Sequence, residues 1–79
     1  MSQPHIIKRS VVIAGHATSV SLEPEFWEAL RDIAEKDHLS LAGLIRQIDQ
    51  SLGPSDKRNL SSAIRVYILG RIKRETATP

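Results

Sequence analysis

Apolar residues fall along this chain with two different periods, and the change of period marks where strand gives way to helix. From Ile6 to Leu22 the chain is rich in β-branched residues, among them Ile6, Ile7, Val11, Val12, Ile13, Thr18 and Val20. Thr18-Ser19-Val20-Ser21-Leu22 alternates strictly, with Thr18, Val20 and Leu22 on one side and Ala17, Ser19 and Ser21 on the other. A period of two with β-branched enrichment predicts a half-buried strand. Gly15, just before it, is the natural place for a turn. The preceding stretch, Lys8-Arg9-Ser10-Val11-Val12-Ile13, reads either as a short strand folded back as a hairpin or as a basic arm that orders on a partner.

The period then lengthens. Glu23-Pro24-Glu25 opens a helix, because proline is tolerated where an N–H would be unpaired and carboxylates suit the positive end of the helix dipole. Phe26, Ala29, Leu30, Ile33 and Ala34 form its apolar stripe, with Trp27 flanking it. The helix should end near Lys36-Asp37, with His38 left-handed and Leu39 tucked back against the last turn. Ser40 is a suitable N-cap for a second helix, whose stripe is Leu41, Leu44, Ile45, Ile48 and Leu52. Gly43 inside it is either a tolerated weakness or a place where a symmetry-related helix comes close. Gly53-Pro54-Ser55-Asp56 breaks the chain, and Asn59 can cap a third helix. That helix is apolar on most sides through Leu60, Ala63, Ile64, Val66, Tyr67, Ile68, Leu69 and Ile72, and so should be buried against more than one neighbour.

Size makes those neighbours scarce. A chain of 79 residues buries only about 60% of its unfolded surface, and with no cysteine it has neither disulfides nor thiolate metal sites. Small folds without such supports commonly oligomerise. The alternating strand also needs backbone partners, which a second copy paired antiparallel would supply. A two-stranded ribbon is one of the elements that the major groove of B-DNA admits. The net charge of +2 permits nucleic-acid binding without demanding it. No apolar run approaches the roughly 18 residues of a membrane span, and the N-terminal residues lack signal-peptide order, so a cytoplasmic protein is expected.

These residues resemble a known family. The run Thr18-Ser19-Val20-Ser21-Leu22-Glu23-Pro24-Glu25-Phe26-Trp27-Glu28-Ala29-Leu30, with Ile33-Ala34 and Leu39-Ser40-Leu41-Ala42-Gly43-Leu44-Ile45, resembles the Arc/MetJ/CopG ribbon-helix-helix superfamily. Lys8-Arg9-Ser10-Val11, Gly15-His16 and Asn59-Leu60-Ser61-Ser62-Ala63-Ile64-Arg65-Val66 are similar to a bacterial subfamily with an extra C-terminal helix, presumed to bind DNA.

The resemblance implies a mainly α fold with a short β-ribbon, in an intertwined homodimer with intermolecular antiparallel strands and an added third helix. The chain should divide into an arm or short strand over 1–15, a ribbon-helix-helix core over 16–52, a loop over 53–59, a third helix over 60–74 and a disordered tail over 75–79. Ala17, Ser19 and Ser21 would contact bases, while Lys8, Arg9, His16, Ser40 and Leu41 would contact phosphates. Val20, Leu22, Phe26, Leu30, Ile33, Leu44, Ile45 and Ile48 would form the dimer core.

Function then follows as an expectation. The chain should be a homodimeric regulator of transcription that prefers certain double-stranded DNA sequences, and a repressor. Ala17 offers no hydrogen bond, and serine can contact nearly any base, so discrimination by the ribbon alone would be weak. No catalytic function, cofactor or metal is expected: His5, His16 and His38 lack metal-ligand spacing, and neither a nucleophile elbow nor a glycine-rich phosphate loop is present. The alternative is an antitoxin-like or regulatory module that grips a partner protein through its third helix. Internal packing of that helix would make it structural, whereas an open apolar surface would make it a docking site.

Overall fold

The computed structural model describes residues 5–52 and 59–76, so the expected break at Gly53 to Asp56 and residues 77–79 of the expected tail lie outside the described residues. The elements run β1 (Ile7–Ile13), β2 (His16–Leu22), α1 (Pro24–Lys36), α2 (Leu41–Ser51) and α3 (Leu60–Thr76). Among the described residues no helix is long and apolar enough to cross a membrane.

β1 and β2 pair antiparallel along their whole length, from Ile7 opposite Leu22 to Ile13 opposite His16. Ala14 and Gly15 connect them with φ of 52° and 82°. Positive φ at both central residues is the mark of a type I′ turn, whose twist matches that of the flanking strands. Glycine adopts it freely, whereas Ala14 does so against its Cβ.

The ribbon therefore exists, but both its strands belong to one chain. β2 is thus not a lone strand: β1 supplies backbone partners along one of its edges, and the segment left open as strand or arm is a strand.

Trp27, Leu30, Ile33 and Ala34 form the buried face of α1. Trp27 is 3% exposed, and its Nε1–H donates to the Ile7 carbonyl at 3.0 Å, which fastens the start of β1 to the helix. The buried face is thus turned by one residue from the expected stripe. Phe26 is only half-buried, with the Arg65 guanidinium 5.7 Å above its ring.

The end of α1 is as expected: His38 has φ 58°, its N–H donates to Glu35 C=O at 3.1 Å, and Leu39 N–H reaches Ala34 C=O at 2.8 Å. These two bonds define a Schellman motif, which satisfies carbonyls that the helix leaves unpaired. Ser40 caps α2, its Oγ accepting from Gly43 N–H at 3.0 Å. A Cβ at position 43 would itself lie 3.0 Å from that hydroxyl, so crowding within the chain is enough to favour glycine there.

Leu44, Ile45 and Ile48 of α2 join Ala63, Ile64 and Ile68 of α3 beneath the ribbon's Val20 and Leu22. Seven of the eight residues expected to build a dimer core are thus buried within a single chain, with Phe26 the exception.

One departure concerns α3. It extends to Thr76, so Glu75 and Thr76 are helical rather than part of the tail; Glu75 bridges Lys36 at 3.3 Å and Arg71 at 3.0 Å. Within the single chain α3 is buried on one side, with Val66 and Leu69 each 57% exposed and Ile72 46%, so the second neighbour expected for it is not supplied by its own chain.

Candidate nucleic-acid interface

A strand's side chains alternate between faces, so the observed register decides which residues share a surface. Ile7, Arg9, Val11 and Ile13 face the helices together with His16, Thr18, Val20 and Leu22. The opposite face pairs Lys8 with Ser21, Ser10 with Ser19, and Val12 with Ala17. All but the half-buried Ser21 are exposed.

The structure accordingly gathers Ala17, Ser19 and Ser21 on one surface with Lys8 and separates them from Arg9. The Arg9 guanidinium lies over the Trp27 ring, 5.4 Å from its centroid, on the helix side. His16 is exposed beside the turn but belongs to the helix-facing row. Sequence reasoning left out Ser10 and Val12, since their membership depends on the turn that sets the β1–β2 register. Val12, 66% exposed, places an isopropyl group beside Ala17 and gives the turn end of this surface an apolar character.

The ribbon is braced from its β2 edge. In a hairpin closed by a two-residue turn, Ile13 opposite His16 is a hydrogen-bonded pair, and alternate pairs beyond it point their backbone groups away from the partner strand. Ser21 is one of these outward residues. Its N–H donates to Ser61 Oγ at 3.0 Å, and its C=O accepts from the Arg65 guanidinium at 3.4 Å. Arg65 also pairs with Glu23 at 2.9 Å. A backbone hydrogen bond at Glu23 itself, and then Arg65, hold the Glu23 carboxyl below its ordinary pKa.

At the other end of α1, Arg71 grips both carboxylate oxygens of Asp37, at 2.8 and 2.9 Å. That bidentate contact holds Asp37 below its ordinary range and raises the pKa of Arg71. The Lys36 and Arg71 hydrogen bonds lower Glu75 likewise. Ion pairs thus fasten α3 to both ends of α1, and α3 in turn fixes the ribbon.

The starts of the two leading helices differ in charge. Glu23 and Glu25 surround the beginning of α1, whereas α2 has no acidic residue in its first turn. Ser40 is exposed and Leu41 half-buried at that second helix start. Unneutralised backbone amides at a helix N-terminus suit an anion.

Residues 6–72 match the family described as "Ribbon-helix-helix domain". Among solved structures the chain is similar to an uncharacterized protein from Bordetella pertussis Tohama I, at 30% identity and a TM-score of 0.74. The match covers 95% of this chain and 63% of that one, so the chain spans somewhat less than two thirds of that protein's length. Among curated proteins none matches.

Proposed function

Because the chain belongs to the ribbon-helix-helix domain family, one of DNA-binding regulators, we propose that it is a homodimeric transcriptional regulator, in its simplest form a repressor, whose ribbon enters the major groove of double-stranded DNA. One observation carries this: the ribbon's outer face presents small residues, Ser10, Ala17, Ser19 and Ser21, flanked by Lys8. Such a face brings backbone and hydroxyl groups up to base edges without steric conflict.

In this proposal Ala17, Ser19 and Ser21 keep their expected base contacts and Ser10 joins them. Val12 with Ala17 offers an apolar surface to a thymine methyl. Lys8 takes a phosphate, as do His16 and the amides at Ser40 and Leu41. Arg9 is the weaker candidate because its guanidinium is turned toward Trp27.

The test is selection of bound duplexes from a random pool at physiological salt. An enriched, pseudo-palindromic motif is expected, and absence of enrichment would overturn sequence preference. Lys8→Ala should weaken binding to all duplexes alike and make the slope of log affinity against log salt shallower by about 0.9 for each lost phosphate contact.

The antitoxin-like alternative draws support from a separate observation, the open apolar face of α3 within one chain. It requires that this face remain open in the assembled protein.

A further inference from the structure

Ser61 and Arg65 stand four residues apart near the start of α3, so their side chains leave the same face of the helix. Both reach one residue of the ribbon. Ser61 Oγ accepts from Ser21 N–H at 3.0 Å, and the Arg65 guanidinium donates to Ser21 C=O at 3.4 Å. A residue on a strand edge ordinarily leaves these two groups to water or to another strand. Here two helix side chains take the place of that strand. Among the described residues, α3 does this for Ser21 and for neither Ala17 nor Ser19.

Both side chains are themselves held. Ser61 N–H donates to Asn59 Oδ1 at 2.7 Å, which sets the first turn of α3. Arg65 Nε donates to Glu23 Oε1 at 3.0 Å, and its guanidinium lies 5.7 Å from the centroid of the Phe26 ring. Ser21 is near the end of β2, Glu23 caps α1 and Phe26 is in its first turn. The same two side chains of α3 therefore hold the place where the strand passes into the helix.

Alternation decides what this does for the outer face. The backbone bonds of Ser21 lie along the ribbon, while its side chain stands perpendicular to it, on the face shared with Lys8 and Ser19. The hold on the backbone thus leaves that side chain on the outer face. It matters more for serine than for lysine. Lys8 can follow a phosphate by turning its long stem, whereas a serine hydroxyl, one bond from Cβ, goes where the backbone puts it. Recognition by so short a group needs a backbone placed to about 0.5 Å.

We propose that Ser61 and Arg65 are positioning residues for base recognition, which touch no DNA themselves and set the preference at the base pair that Ser21 reads. The inference rests on the DNA reading proposed above. It gives α3 a part in recognition that does not depend on what covers its apolar side chains.

The experiment is selection of bound duplexes from a random pool with the full chain. It compares wild type, Ser21→Ala, Ser61→Ala, Arg65→Gln and Arg71→Gln, with circular dichroism confirming that each is folded at the temperature used. Ser21→Ala marks the base pair that Ser21 reads. Ser61→Ala and Arg65→Gln should each weaken preference at that same pair by about fivefold, the lower end of what one good contact supplies, and leave the rest of the motif unchanged. Arg71→Gln removes the anchor of α3 on Asp37, at the other end of α1, and should keep the whole motif. The salt slope of Arg65→Gln should equal that of wild type, because Glu23 holds the guanidinium.

Wild-type preference at that pair in Ser61→Ala and Arg65→Gln would overturn the proposal while leaving the DNA reading in place. So would preference lost evenly across the motif, or lost in the same way by Arg71→Gln, since general loosening of α3 would then suffice. A Ser21→Ala motif identical to wild type would leave Ser21 no pair to read and overturn it too. An Arg65→Gln salt slope shallower by about 0.9 would make Arg65 a phosphate ligand instead. A wild type that enriches no motif would remove the DNA reading, and this inference with it.

Discussion

Ser21 N–H and Ser61 Oγ, 3.0 Å apart across 40 residues of sequence, join the outermost strand edge to the first turn of α3. Among the described residues Ser61 is the one polar residue that is buried, at 8% exposure, and the bond explains its burial. Ser61→Ala leaves a partly buried N–H without its acceptor and should cost about 1–2 kcal/mol. Urea unfolding checks this: a midpoint equal to wild type would show that water replaces the hydroxyl there.

The turn offers a change of opposite sign. Ala14 holds φ 52° without the side-chain amide that makes asparagine common in type I′ turns. Ala14→Asn should stabilise by about 0.5 kcal/mol or more, while Gly15→Ala, forced to φ 82°, should destabilise by about 1 kcal/mol. Thermal melts of the two variants should move in opposite directions. Equal melting points would mean the turn is not under strain.

Acid should loosen the α1–α3 junction. Glu23, Asp37 and Glu75 are held below their ordinary values of 4.5, 3.8 and 4.5 in the fold, and the unfolded chain returns to those values. Below about pH 4.5 the unfolded state therefore binds more protons, and stability present above that pH is lost as pH falls through the lowered values. Arg71 stays charged throughout. Carboxyl titration by NMR should show Asp37 returning toward 3.8 in Arg71→Gln. An unmoved Asp37 would remove the ion pair from this account.

Trp27→Phe keeps an aromatic ring but deletes the Nε1–H bond to Ile7 and reduces the surface on which Arg9 stacks. A loss of about 1 kcal/mol is expected, with faster amide exchange in β1. Unchanged exchange in β1 would show that the strand is held by its pairing with β2 alone.

What the sequence made legible was mostly local. His38 and Ser40 announce a helix end and a helix start through backbone chemistry within a few residues, and both behave accordingly. The alternation of Thr18 to Leu22 was equally plain. β1 was harder because Arg9 stands in its helix-facing row, where its guanidinium lies over the Trp27 ring; a charged residue there breaks the visible pattern. Trp27 and Phe26 give nearly equivalent helical stripes, and only the distant contacts with Ile7 and Arg65 decide between them. The outer surface shared by Ser10, Val12, Ala17 and Ser19 depends on a register that one residue more in the turn would have reversed.

Placing both strands in one chain changes how this small protein responds to dilution. A hairpin with a two-residue connection closes in about 1–10 μs and at a rate independent of concentration. In the proposed dimeric regulator, lowering the copy number would separate protomers without unmaking this hairpin, so newly made chains would carry it before they meet. Occupancy of a two-half-site operator would then rise with the square of chain concentration at low levels, and the steepness would reflect assembly, not folding.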